Sequence, residues 1–245
     1  MTEIVQKRII MADNWTVPGQ APGALGLTQA FVNTRYGSGR RYLEELDTTE
    51  RLRAWLTRHH LLNDDAPVTE GDLRRATSVR EALRAVLRAN THATLATPAT
   101  TAEPRSASAQ HRAVSASLLG VERTPSTSVA PSHNPVADVR EAADVLNAIA
   151  AYAPLSVRFQ RDGQATLEPA IDGVEGALAR LLAAVPLAQT DGSWGRLKIC
   201  RNDACGRAFF DSSKNHSGAW CDLGKCGNRL NARASRARRR LAHQG

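Results

Sequence analysis

The chain has four cysteines, all of them between positions 200 and 226, arranged as Cys200-x4-Cys205, fifteen residues, then Cys221-x4-Cys226. Two close pairs of thiols on either side of a loop can surround Zn²⁺ tetrahedrally, each pair gripping the ion from one tight turn. Four protein ligands saturate zinc and leave no position for water or substrate, so the spacing predicts one structural zinc ion. A segment of roughly fifty residues with so few apolar groups needs the free energy of metal binding to fold. Free buried thiols or an iron–sulfur cluster are the competing readings of the same cysteines, and His216 is a further ligand by residue type.

With 245 residues, 42% of them hydrophobic, the chain can bury one sizeable core plus a small module. Residues Met1 to Trp15 contain no apolar stretch of the secretory kind, and no run of about 18 apolar residues occurs. A cytoplasmic protein is expected, nucleoid-associated if it binds DNA. In a reducing compartment clustered thiols serve as metal ligands, because disulfides do not persist there.

The pattern along the chain predicts an α+β, mainly helical protein. After an N-terminal extension (1–22), a domain over 23–190 opens on Gly23–Tyr36, whose apolar residues suit either a short strand or a buried helical turn. Asp47 is placed to cap a helix through Leu52, Trp55 and Leu56 to Leu62. Thr69 and Asp72 form a capping-box pattern, followed by Leu73, Ala76, Val79, Leu83, Val86 and Leu87 as one helical stripe. Residues 94–133, dominated by Ala, Thr, Ser and Pro, read as a low-complexity insert that is largely loop. Asn134-Pro135 opens a helix carrying Val136, Val139, Leu146 and Ile149. Alternation around Asp162-Gly163 predicts a short hairpin packed on the helices, and a last helix from Val174 is expected to stop at Pro186. Residues 191–195 read as a linker, so the 1–190 core is expected to fold without the C-terminal module, a small four-cysteine finger with a basic helix over 196–245.

Charge is placed as unevenly as cysteine. Residues 196–245 hold 12 Lys+Arg against 3 Asp+Glu, whereas the rest of the chain is near neutral. After Cys226 no helix breaker occurs up to Leu241. At 3.6 residues per turn Arg229, Arg233, Arg236 and Arg240 fall within about 60° of one another, with Arg239 on the flank. Guanidinium forks suit phosphates, so this stripe is a candidate nucleic-acid face, with Lys214 and Asn228 beside it. A helix favours duplex DNA over RNA, since the stacking aromatics of single-strand readers are scarce. A solvated tail or a dock for an acidic protein surface is the alternative use of the same stripe.

Cys200-x4-Cys205-Gly206, Phe210-Asp211-x-Ser213-Lys214-Asn215, Trp220-Cys221 and Cys226-Gly227-Asn228-Arg229 resemble the CGNR zinc finger family. Ahead of the finger, Phe31-Val32-Asn33-Thr34, Leu52–Leu56, the start Val68-Thr69-Glu70-Gly71-Asp72-Leu73, and Leu83 resemble the ABATE domain. The resemblance implies a bacterial transcription regulator of the stress-response type. The chain departs from the family pattern at Gly218-Ala219 and Asn231, where basic residues are common, and at Ala30, often Asp.

A zinc-dependent, DNA-binding transcription regulator is therefore expected, its N-terminal domain sensing an effector or binding a partner, for which the polar group Asn33-Thr34-Arg35 is a candidate. An RNA-associated or protein-interaction module with a structural finger is the alternative. No phosphate loop, nucleophile elbow or paired acid–His motif points to an enzyme, and His59-His60, adjacent on a helix, diverge by about 100°. No membrane association is expected, and the sequence leaves the oligomeric state open.

Overall fold

The computed structural model describes residues 19–37, 42–93 and 135–228. The expected extension up to residue 18, the 94–133 insert and the arginine segment from Arg229 onward lie outside the described residues.

The protein is α+β and mainly helical. The ambiguous first segment is a helix, α1 (Gly23–Val32), followed by a two-residue antiparallel ladder of β1 (Arg35–Tyr36) with β2 (Leu43–Glu44). Helix α2 (Thr49–Arg58) is capped by Thr48, whose side chain accepts from the Arg51 N–H, while Asp47 pairs with the Arg51 guanidinium at 3.1 Å. This helix ends before Leu62, because His60 takes a left-handed φ of 56° and Leu61 and Leu62 then turn into the core.

Helix α3 (Glu70–Ala93) opens on the expected capping box: the Thr69 N–H donates to the Asp72 carboxylate at 2.7 Å and the Asp72 N–H to Thr69 Oγ1 at 3.2 Å. It is the central element, packing against α1, α2, the strand at Leu197–Ile199 and the two later helices, α4 (Pro135–Tyr152) and α5 (Gly173–Thr190). Helix α5 runs through Pro186 instead of stopping there. The proline forfeits one backbone bond near the helix end, and the next turn is retained by the Asp191 N–H on Leu187 O, the Thr190 hydroxyl on Pro186 O and the burial of Ala188.

The hairpin of β3 (Leu155–Phe159) and β4 (Ala165–Pro169) forms in the predicted region, with Val157 opposite Leu167. Its orientation is the reverse of the expected one. Thr166 and Glu168 lie on the half-buried side, while Leu155, Val157, Phe159 and Leu167 face solvent.

The core joins Phe31, Leu52, Trp55, Leu83, Leu87 and Leu178 to Trp194, Leu197, Ile199 and Ala208. Residues 191–195 are therefore no free linker, since Trp194 is buried in a short 3₁₀ turn, Trp194–Arg196. The last three core residues belong to β5 (Leu197–Ile199) and β6 (Ala208–Phe210), an antiparallel pair.

Polar side chains of α1 and α3 reach across to the backbone of that pair. Asn33, the residue that closes α1, acts as a surrogate strand, its amide donating to Ala208 O at 2.9 Å while its carbonyl accepts from Ala208 N at 2.8 Å. Thr91 serves Ile199 in the same double way, at 2.9 and 3.0 Å. Asn90 donates to the carbonyls of Trp194 and Leu197, and Gln29 donates to Gly19 O. Asn33→Ala is expected to leave the Ala208 N–H unpaired and its carbonyl with only the Gln29 amide at 3.3 Å, and to cost about 1–3 kcal/mol in urea unfolding.

Candidate metal centre

The finger is built around two turns. The first follows β5: Asn202 is buried and its carbonyl accepts from the N–H groups of Cys205 and Gly206, at 2.7 and 3.0 Å. Gly206 takes a φ of +60°, open to glycine without strain. The second turn, Leu223–Gly227, is capped by Asp222, whose carboxylate accepts from Lys225 N at 2.9 Å and whose carbonyl accepts from Cys226 N at 2.8 Å.

These turns bring Cys200, Cys205, Cys221 and Cys226 together, one Sγ from each, all within 4.8 Å of one another. The Cys205–Cys221 and Cys221–Cys226 sulfurs are 3.6 and 3.8 Å apart. Zinc–sulfur bonds of about 2.3 Å in a tetrahedron put the sulfurs about 3.8 Å apart, whereas a disulfide needs about 2.05 Å. All four cysteines are free. Without a cation the thiols obstruct one another: hydrogen bonds from Cys200 and Cys221 draw Cys205 toward thiolate, and the shared protons push Cys200 and Cys221 up. A divalent ion removes that conflict by accepting four thiolates at once. The donor set fits one structural zinc, with Phe209 and Trp220 packed over it.

His216 lies outside the cluster, exposed, and contributes its carbonyl to Lys198. His59 stacks on Trp55 at 4.2 Å, and burial lowers its pKa; His59-His60 lie at a helix end and hold no metal group among the described residues.

The loop between the cysteine pairs hangs on an ion pair that sequence reasoning missed. Lys198 and Asp211 are both buried, with Nζ 2.7 Å from Oδ2, and Lys198 also donates to the carbonyls of His216 and Gly218. Asp211 further accepts from the N–H groups of Ser213 and Gly218, at 3.0 and 2.7 Å. A Cβ on Gly218 would lie 2.5 Å from that carboxylate, so the residue that departs from the family pattern is the one this closed loop admits. Burial alone would raise the Asp211 pKa, but Lys198, Ser213 and the Gly218 N–H outweigh it and hold it at about 2.

The pair's contribution to stability is therefore complete above the ordinary value of 3.8 and is lost as pH falls toward 2. Asp211→Asn, which leaves the Lys198 ammonium only its carbonyl partners, and Lys198→Met, which leaves the Asp211 carboxylate only its N–H donors, are each expected to cost about 3–5 kcal/mol at neutral pH. Urea unfolding of the two variants checks the magnitude. One signal could have revealed the pair: the chain has only 4 lysines against 28 arginines, and one of them sits in an otherwise apolar strand.

Arg84 joins the centre to the helical domain. Buried in α3, it donates to the carbonyls of Gly206, Val32 and Arg35, and burial lowers its pKa to about 10. Nearby, Arg80 pairs with both carboxylate oxygens of Glu44, at 2.6 and 2.8 Å, and donates to Thr34. The polar trio Asn33-Thr34-Arg35 is thus engaged within the fold, Asn33 and Thr34 as above and Arg35 by its ion pair to Glu81 at 3.1 Å.

Of the candidate nucleic-acid contacts, Lys214 and Asn228 are exposed on the finger, whereas Arg229, Arg233, Arg236, Arg239 and Arg240 lie outside the described residues. Trp220 is half-buried finger core, with the Arg201 guanidinium 5.9 Å from its ring centre.

A helical domain with a four-cysteine structural zinc finger fused into its core defines a zinc-binding protein. The chain belongs to the ABATE family, described as "Putative stress-induced transcription regulator", whose model matches residues 26–190, and the CGNR zinc finger model matches 196–239. No curated protein matches the chain closely enough to count as a relative. Among the described residues no helix is long and apolar enough to cross a membrane.

Proposed function

We propose that the protein is a DNA-binding transcription regulator that reads duplex DNA through the segment after Cys226, with the helical domain serving effector sensing or partner binding. One observation carries this reading. Cys226 and Gly227 are buried beside the other cysteines while Asn228, with helical backbone angles, is exposed, so the described chain ends in a helical turn directly before Arg229. An N-terminal turn fixed by metal would present Arg229, Arg233, Arg236 and Arg240 as one phosphate-tracking stripe, with Arg239 beside it and Lys214 and Asn228 as neighbouring contacts. The two matched families, a regulator and a zinc finger, support the same reading.

Cytoplasmic residence, with nucleoid association, belongs to this proposal. A selection from random duplex DNA, run beside an RNA pool at matched salt, tests it. Enrichment of duplexes supports the reading; enrichment of RNA alone transfers the stripe to an RNA-associated role, and enrichment of neither to protein interaction.

A further inference from the structure

The β3–β4 hairpin has its amphipathicity turned outward. Val157 is 60% and Phe159 77% exposed, and cross-strand pairing places Leu155, Val157 and Phe159 on one face with Ala165, Leu167 and Pro169. Tyr152, 70% exposed, and Ile171, 39% exposed, flank the two strands at the base of the hairpin, where the Ala170 N–H donates to Pro154 O. The opposite face carries Ser156, Arg158, Thr166 and Glu168, with Arg158 and Glu168 paired at 3.2 Å. A two-stranded sheet is marginal by itself, and a solvated hairpin would show its polar side to water. Among the described residues the apolar side is covered in part at Pro169, which is half-buried, and at Leu155 and Leu167, each 38% exposed, and is left open at Val157 and Phe159.

We propose that this face is the contact between two copies of the chain, the hairpins stacking apolar side to apolar side about a two-fold axis near Val157. Tyr152, Leu155, Val157, Phe159, Leu167 and Ile171 expose on the order of 600 Å² per copy, so that the pair buries enough to pass the roughly 1,000 Å² of a specific interface. The patch carries no charge, which suits neither nucleic acid nor an acidic partner. The 94–134 segment of the same chain contains no aromatic residue and is dominated by Ala, Thr, Ser and Pro, a poor match for Phe159 and Tyr152. A self-complementary apolar face is what an isologous dimer requires.

Sedimentation equilibrium of the full zinc-loaded chain without nucleic acid tests the proposal independently of DNA binding. At about 100 μM the wild type should have twice the chain mass and should dissociate on dilution, while Val157→Asp and Phe159→Asp should have the single mass, unchanged zinc content and the melting temperature of the diluted, dissociated wild type. Both positions are exposed in the single chain, so charge there should leave its fold intact. A wild type of single mass throughout, or a dimer that survives both substitutions, overturns the proposal. Amide exchange gives a reading that needs no variant. Protection over residues 152–171 should rise with protein concentration; protection independent of concentration would mean that the face is covered from within the chain and would also overturn it.

Discussion

Removing the zinc should destabilise the whole protein, not its C-terminal fifth alone. Trp194, Leu197, Ile199 and Ala208 are part of the same core as Phe31 and Leu83, and Arg84, Asn33 and Thr91 hold polar backbone groups on both sides of β5 and β6. With the metal gone the Gly206 turn loosens, Arg84 loses a carbonyl partner while buried, and the loss spreads into the helical domain. Structural zinc contributes on the order of 10 kcal/mol or more in small fingers. Even a third of that, transmitted to a domain of this size, lowers the melting temperature by about 7–13 °C. Scanning calorimetry of the chelated protein and of Cys221→Ala should therefore show one transition, moved down, and a 1–190 fragment should show no sharp transition at all. The sequence alone favours the opposite result, a helical core indifferent to chelation. Two transitions, the upper one unmoved by chelation, would restore it.

Replacing Arg229, Arg233, Arg236, Arg239 and Arg240 together by Ala should abolish measurable DNA affinity at physiological salt. If four to five guanidinium groups reach phosphate, log K falls with log salt at a slope of about −4, and Arg233→Ala or Arg236→Ala flattens the slope by about one. The loss should be similar for every duplex, since phosphate contacts carry no sequence. Fluorescence anisotropy across a salt series reads both quantities. A salt slope unchanged in the fivefold variant would assign the segment to protein contact.

The metal centre was legible because its evidence is local. Two x4 spacings place four thiols on two turns, whatever surrounds them. Helix α3 was legible for the same reason, its capping box and apolar stripe lying within one stretch of chain. Helix α1 was ambiguous, since ten residues with small apolar side chains suit a buried strand equally well. What could not be read was the joint. Asn33 meets Ala208 across 175 residues and Arg84 meets Gly206 across 122, and a polar side chain bound to distant backbone leaves no periodic trace. The hairpin shows a different limit. Alternation tells which of its residues share a face but not toward which side that face turns, and packing at β4 and α5 decides that.

The joint has a consequence for how such proteins diverge. Asn33, Thr91, Asn90 and Arg84 grip the finger by carbonyl and amide groups, which every residue type except proline supplies alike. Outward-facing side chains of the finger can therefore drift without loosening its hold on the helices, so that new recognition surfaces can arise on an unchanged mount. The evolutionary constraint falls instead on the gripping residues, of which Arg84, Asn90 and Thr91 lie within about two turns of a single helix.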